Sequence, residues 1–282
     1  MAFAGSLFRF FIFSNLFISC CATAMAWLTC DILGLPVNSN ALAFIFFATL
    51  CSYSFHWMLT TEWLGNTPRS NWQKSLPFIH PLLLVAAMAG TAWFGWKLAA
   101  HWPFLLLVAF LTFLYSAPKI PHPFFLVLRR IALGKTLFLT IVWTMVTTLL
   151  PVIDSGRVWP AGTLLFLLNR FFLIYAICIL FDLRDVDYDR KHGIRSLITW
   201  LSADRVRQLF FLSILLFMAT GTGLLAFGQD LLPVTCLLVP GIITAFLYRR
   251  ATTDRSDLLF YFVLDGLMAL PAALLALFDN LA

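Results

Sequence analysis

Nine apolar runs, each about long enough to cross a lipid bilayer as a helix, leave this chain few folds to choose from. They lie near 10–28, 41–60, 78–96, 102–117, 133–150, 162–181, 208–227, 232–248 and 258–278. A bilayer core of about 30 Å takes about 20 helical residues to span. The breaks between runs carry turn chemistry: Gly34-Leu35-Pro36, Gly65-Asn66-Thr67-Pro68, His101-Trp102-Pro103, Pro118 to Pro123 and Pro151 to Gly156. The expected fold class is therefore all-α: a polytopic membrane helical bundle of about nine transmembrane helices. Residues 1–282 are read as a single transmembrane domain, because no polar stretch is long enough for a second. The breaks near 97–101 and 228–231 are the shortest and define their boundaries least well.

Composition agrees. Charged residues are 11% of the chain and hydrophobic residues 61%, whereas a soluble domain keeps about a quarter of its residues charged. The net charge of +6 does not indicate nucleic acid. The basic residues sit in short clusters between apolar runs, which suits lipid headgroups and anionic lipid-borne substrates. With nine spans, 16 of the 19 Lys and Arg fall on one side and two on the other, with Arg170 inside a span. The positive-inside rule then predicts a cytoplasmic N-terminus. The expected location is integral and multi-pass in a membrane, with a bacterial inner membrane as the working expectation. Arg9, the following apolar stretch and Ala22-Thr23-Ala24 also suit a cleaved signal, but the run continues to Leu28 and is long for a signal core. The six cysteines form no CxxC pair and mostly lie inside apolar runs, so they are read as packing thiols.

Two polar elements stand out. The first is Asp182-x-x-Asp185-x-x-x-Asp189, which begins where the sixth run ends. On a continuing helix the three carboxylates fall within an arc of about 60°, while Asp187 points roughly 140° away. Three hard oxygen ligands on one face suit Mg²⁺, which bridges carboxylates to substrate phosphates. Arg184, Arg190, Lys191 and Arg195 flank them and suit phosphate oxygens. A solvated loop of mixed charge is the alternative, but carboxylates at membrane depth are costly and tend to mark function. The second element is Tyr115-Ser116-Ala117-Pro118-Lys119, at the end of the fourth run on the same side. Lys119 is expected on a phosphate and Tyr115 near a reacting centre. The alternative is an interfacial Tyr beside a snorkelling Lys.

Together these elements resemble the UbiA superfamily of intramembrane prenyltransferases, in which Y-x-x-x-K and D-x-x-D-x-x-x-D elements lie on one side of a nine-helix bundle. Gly193-Ile194-Arg195-Ser196-Leu197 is similar to the family's G-x-x-T-L-P, with Ser for Thr and Ile198 for Pro. The family's first acidic element, N-D-x-x-D-x-x-x-D, is degenerate. The matching stretch is Ser54 to Glu62, with Phe55 and Met58 in place of two acids and Glu62 as the remaining carboxylate. His56 is a candidate substitute ligand or a merely hydrogen-bonded interfacial histidine.

The resemblance implies Mg²⁺ held by Asp182, Asp185, Asp189 and Glu62. It implies a prenyl diphosphate bound through that ion, with Tyr115 and Lys119 catalytic and Lys119 on a phosphate. Arg190 and Lys191, beside the aspartates, and Arg129 and Arg130, in the loop after Lys119, are further candidate diphosphate contacts by position, the last two suiting positive-inside anchoring equally. The resemblance also implies transfer of the isoprenoid group to a lipid-soluble, aromatic acceptor. The alternative is a non-catalytic or repurposed member that binds a prenyl lipid or a partner. The D-G-x-x-A-R element of CDP-alcohol phosphotransferases is missing, and no pair of broken segments suggests a transporter. Arg170, in mid-span, needs a partner: a substrate anion or an acid such as Asp265.

Overall fold

In lipid a backbone N–H or C=O has no water to bond, so each apolar run closes its own hydrogen bonds as a helix. The computed structural model describes residues 2–59, 67–117, 120, 135–191 and 197–279, and among these every regular element is helical. Eight helices are long and apolar enough to cross a membrane, and a bent pair makes a ninth if it counts as one span. That pair is α1 (Ala2–Phe13) and α2 (Leu16–Ile32). The sequence places one span near 10–28. That run bends by 64° at Ser14 and Asn15, where Asn15 takes a left-handed φ of 69°.

Next come α3 (Ser39–Met58), the short α4 (Pro68–Ser75) and α5 (Ile79–Lys97). A 3₁₀ turn at Ala99–His101 leads into α6 (Trp102–Ser116). The fifth span is α7 (Lys135–Thr144), a π turn over Met145–Leu149 and α8 (Leu150–Asp154). The long α9 (Thr163–Lys191) follows, then a single turn α10 (Leu197–Trp200), α11 (Ala203–Gly223) and α12 (Leu231–Thr253). A second π turn over Leu259–Leu264 runs into α13 (Asp265–Asp279).

The sixth apolar run ends near 181, and its helix continues to Lys191 and carries the acidic element with it. α9 is also the hub of the bundle, packing on α7, α11, α12 and α13. Its buried stripe of Leu173, Ile174, Ile177 and Leu180 forms the middle of the main core. Close approach requires glycine at particular points. A Cβ on Gly241 would come 2.2 Å from the Phe217 ring, and one on Gly90 would come 2.4 Å from Phe47.

A proline inside a span removes a backbone donor. Pro151 cannot donate to the Thr147 carbonyl one turn earlier. That oxygen instead accepts from the Thr29 hydroxyl of α2 at 2.7 Å.

α4 begins with a reciprocal cap. The Thr67 side chain accepts from the Ser70 N–H, the Ser70 side chain accepts from the Thr67 N–H, and Pro68 occupies the first turn. This short helix delivers Arg69 into the bundle at 2% exposure. Its guanidinium donates to Asn15 Oδ1 at 2.6 Å and lies 3.7 Å from the Trp57 ring and 4.4 Å from the Tyr261 ring. Burial pulls Arg69 down to about 10, against the attraction of Tyr261 and Asp257.

Candidate functional site

A cavity of about 1110 Å³ opens among α3, α5, α6, the fifth span, α9 and the last span. Its wall reaches from Met58 at one end of α3 to Phe44 deep in the same helix. At 1.5 Å per residue that is about 20 Å, over half of a bilayer core. The walls are mostly apolar and aromatic, with Asp182 and Asp185 near one end.

Asp182 and Asp185 both line that end, as expected for positions i and i+3 of a continuing helix. Asp182 is 5% exposed and accepts the hydroxyl hydrogen of Thr136, at the start of α7. Asp185 takes the Nε–H of Arg184 at 2.8 Å. The Arg184 guanidinium is also stacked near Phe181, Phe260 and Tyr261, at 5.2, 4.7 and 4.8 Å. Asp187 turns away and meets Arg255 at 2.6 Å. Arg190 is exposed. Lys119, Arg129, Arg130 and Glu62, and the side chains of Asp189 and Lys191, lie outside the described residues.

On the same cavity's wall, Tyr115 stacks on His56 with ring centroids 5.1 Å apart and planes 18° from parallel. His56 Nδ1 is 3.4 Å from Ser116 Oγ. Phe55, His56 and Met58 all face the cavity, while Ser54 is buried behind them. The two places where the resemblance expects acids therefore present an aromatic ring and a thioether to the chamber. Among the described residues no three His, Cys, Asp or Glu side chains gather to hold a metal ion by themselves. Asp182 and Asp185 nevertheless suit one Mg²⁺, an ion commonly held by one or two carboxylates together with substrate phosphates. Deeper in the cavity, Tyr53 meets Trp143 edge to face at 6.3 Å, and Asp265 faces the same space.

Arg170 does not pair with Asp265. Its guanidinium donates to the main-chain carbonyls of Met25 at 3.2 Å and Met268 at 3.5 Å. All six cysteines are free thiols. Sequence reasoning missed the roles of Thr136, Arg69 and Tyr261. For Arg69 a signal existed, since Thr67-Pro68-Arg69-Ser70 reads as a capped helix start. Thr136 carries none, because its partner lies 46 positions away.

The sequence profile described as the UbiA prenyltransferase family matches residues 79–267. The matched segment opens after the degenerate 54–62 stretch and includes the Tyr115, Asp182 and Asp265 positions. Among solved structures, the chain is similar to the apo structure of a UbiA homolog from Aeropyrum pernix K1. The TM-score is 0.68 at 14% identity, covering 95% of this chain and 99% of that one. No curated protein matches the chain in sequence.

Proposed function

This chain belongs to the UbiA prenyltransferase family, and on that premise we propose that it moves an isoprenoid group from a prenyl diphosphate to a lipid-soluble aromatic acceptor, with Mg²⁺. The observation that carries the reading is the position of Asp182 and Asp185 at the end of a deep, apolar cavity. That arrangement suits an amphiphile with an anionic head and a hydrocarbon tail.

Asp182 and Asp185, with Asp189 and Glu62 as further candidates, would hold the ion. When bound, Mg²⁺ neutralises diphosphate charge as the allylic C1–O bond breaks. Thr136 fixes the Asp182 carboxylate, and Arg184 restrains Asp185. Lys119, Arg129, Arg130, Arg190 and Lys191 are the proposed diphosphate contacts. The faces of Tyr115, Tyr53 and Trp143 suit stabilisation of the allylic cation, and the apolar walls keep water from quenching it. The lysine and arginine distribution supports placing the acidic end, and the N-terminus, on the cytoplasmic side.

A second reading has its own support. Phe55 and Met58 face the cavity where acids would hold a second ion, which favours a protein that binds prenyl lipid without transferring it. Membranes incubated with labelled geranyl or farnesyl diphosphate, a panel of aromatic acceptors and Mg²⁺ separate the two. Transfer that disappears in Asp182→Asn and Asp185→Asn supports the enzyme. Retained binding with no transfer across the panel supports the second reading.

A further inference from the structure

We infer that Asp265 selects the acceptor: the chamber takes an uncharged arene bearing a hydroxyl or amine, and disfavours one bearing a carboxylate. The inference rests on the prenyl-transfer reading of the cavity and adds the class of the second substrate.

Asp265 is 7% exposed and lines the cavity from the last span. The π turn over Leu259–Leu264 precedes it, and Tyr261, Asp265 and Met268 all face the chamber. Among the described residues Asp265 makes no hydrogen bond and no ion pair. The arginines that act on it electrostatically are Arg69 and Arg184, and neither forms an ion pair with it. Arg69 donates to Asn15 and to the Phe13 carbonyl, Arg184 donates to Asp185, and both are stacked on Tyr261.

A carboxylate at this depth is costly unless hydrogen-bond donors reach it. Its accessible side is the cavity, so the complementary donor comes from the ligand. A hydroxyl or amine supplies that hydrogen. A second carboxylate would place two anions together in a poorly screening medium. The Tyr53 and Trp143 rings, on the same cavity wall surface, favour an aromatic body on that donor.

The test uses purified full-length protein in lipid nanodiscs and two probes differing by one carboxylate, 1-naphthol and 1-hydroxy-2-naphthoate. Affinities are read from quenching of intrinsic tryptophan fluorescence. The wild type should prefer 1-naphthol at least tenfold. Asp265→Asn removes the charge at constant shape and should erase the preference by raising affinity for the naphthoate about tenfold. Asp265→Glu should retain the preference. Equal affinity of the wild type for both probes overturns the inference, as does an unchanged ratio in a folded Asp265→Asn. The wild-type ratio decides even if that variant fails to fold.

Binding of geranyl thiodiphosphate with Mg²⁺ is measured alongside. It should be lost in Asp182→Asn and kept in Asp265→Asn. Its loss in Asp265→Asn, with the protein folded, assigns Asp265 to the diphosphate and overturns the inference. Failure of the wild type to bind it counts against the prenyl-transfer reading, while the naphthol ratio still reports on Asp265.

Discussion

His56 lies face to face with Tyr115, their ring centroids 5.1 Å apart, on the wall of the cavity that the α9 carboxylates also line. The pair joins the end of α3 to the end of α6. His56 stands in the stretch where the resemblance would place the first acidic element.

If the stacked ring matters more than the nitrogen, His56→Phe keeps Tyr115 in place and His56→Ala releases it. The expected outcome is near-wild-type prenyl transfer for the phenylalanine variant. The alanine variant should lose about tenfold, which corresponds to roughly 1.4 kcal/mol of transition-state stabilisation. Steady-state rates on a matched donor and acceptor check this. Equal losses in both variants would instead assign the role to the imidazole nitrogen.

Arg69 concentrates several contacts on one buried group: the Asn15 side chain at the α1–α2 bend, and the rings of Trp57 and Tyr261. Arg69→Ala orphans these partners and should cost about 3 kcal/mol, in the range for breaking a buried charged contact. Arg69→Lys should recover little of it, because an ammonium lacks the planar fork and the stacking face. Thermal unfolding in detergent, followed by circular dichroism, reads both.

The contact of α11 with α12 is specified by absence of a side chain. Gly241→Ala pushes a methyl into the Phe217 ring and should destabilise by about 1–3 kcal/mol. Phe217→Leu should relieve part of the loss when combined with it. A double-mutant cycle measures the coupling, and additive effects would contradict the close approach.

Pro151 has no N–H to offer the Thr147 carbonyl one α-helical turn earlier, and that oxygen accepts from the Thr29 hydroxyl. Thr29→Val should cost about 1 kcal/mol, near the usual worth of a side-chain hydrogen bond between membrane helices. The penalty should shrink in a Pro151→Ala background, where the backbone supplies its own donor. Stability of the four proteins by denaturant titration tests this.

Much of the scaffold was legible because it depends on counting apolar residues. Runs at 41–60, 78–96 and 258–278 became helical within a few residues of those limits, the last through a π turn into α13. The bend at Asn15 was not legible. Phe-Ser-Asn-Leu carries no proline or glycine, and the left-handed turn is stabilised by Arg69 from 54 positions away. In the site, Asp182 and Asp185 could be placed on one face by helical arithmetic alone. The Thr136 bond, the His56–Tyr115 stack and the openness of Asp265 to the chamber depend on which helices become neighbours, and local spacing does not encode that. Arg170 shows the same limit. Its need for partners was readable, but the partners are carbonyls exposed by packing, whereas a complementary acid was the local expectation.

The continuity of α9 has a geometric consequence. Its buried stripe and its carboxylates belong to one uninterrupted rod from Thr163 to Lys191, with no joint between them. Asp182 is thereby a fixed datum on that rod, and its distance from Leu173 is a ruler that loop motion does not lengthen.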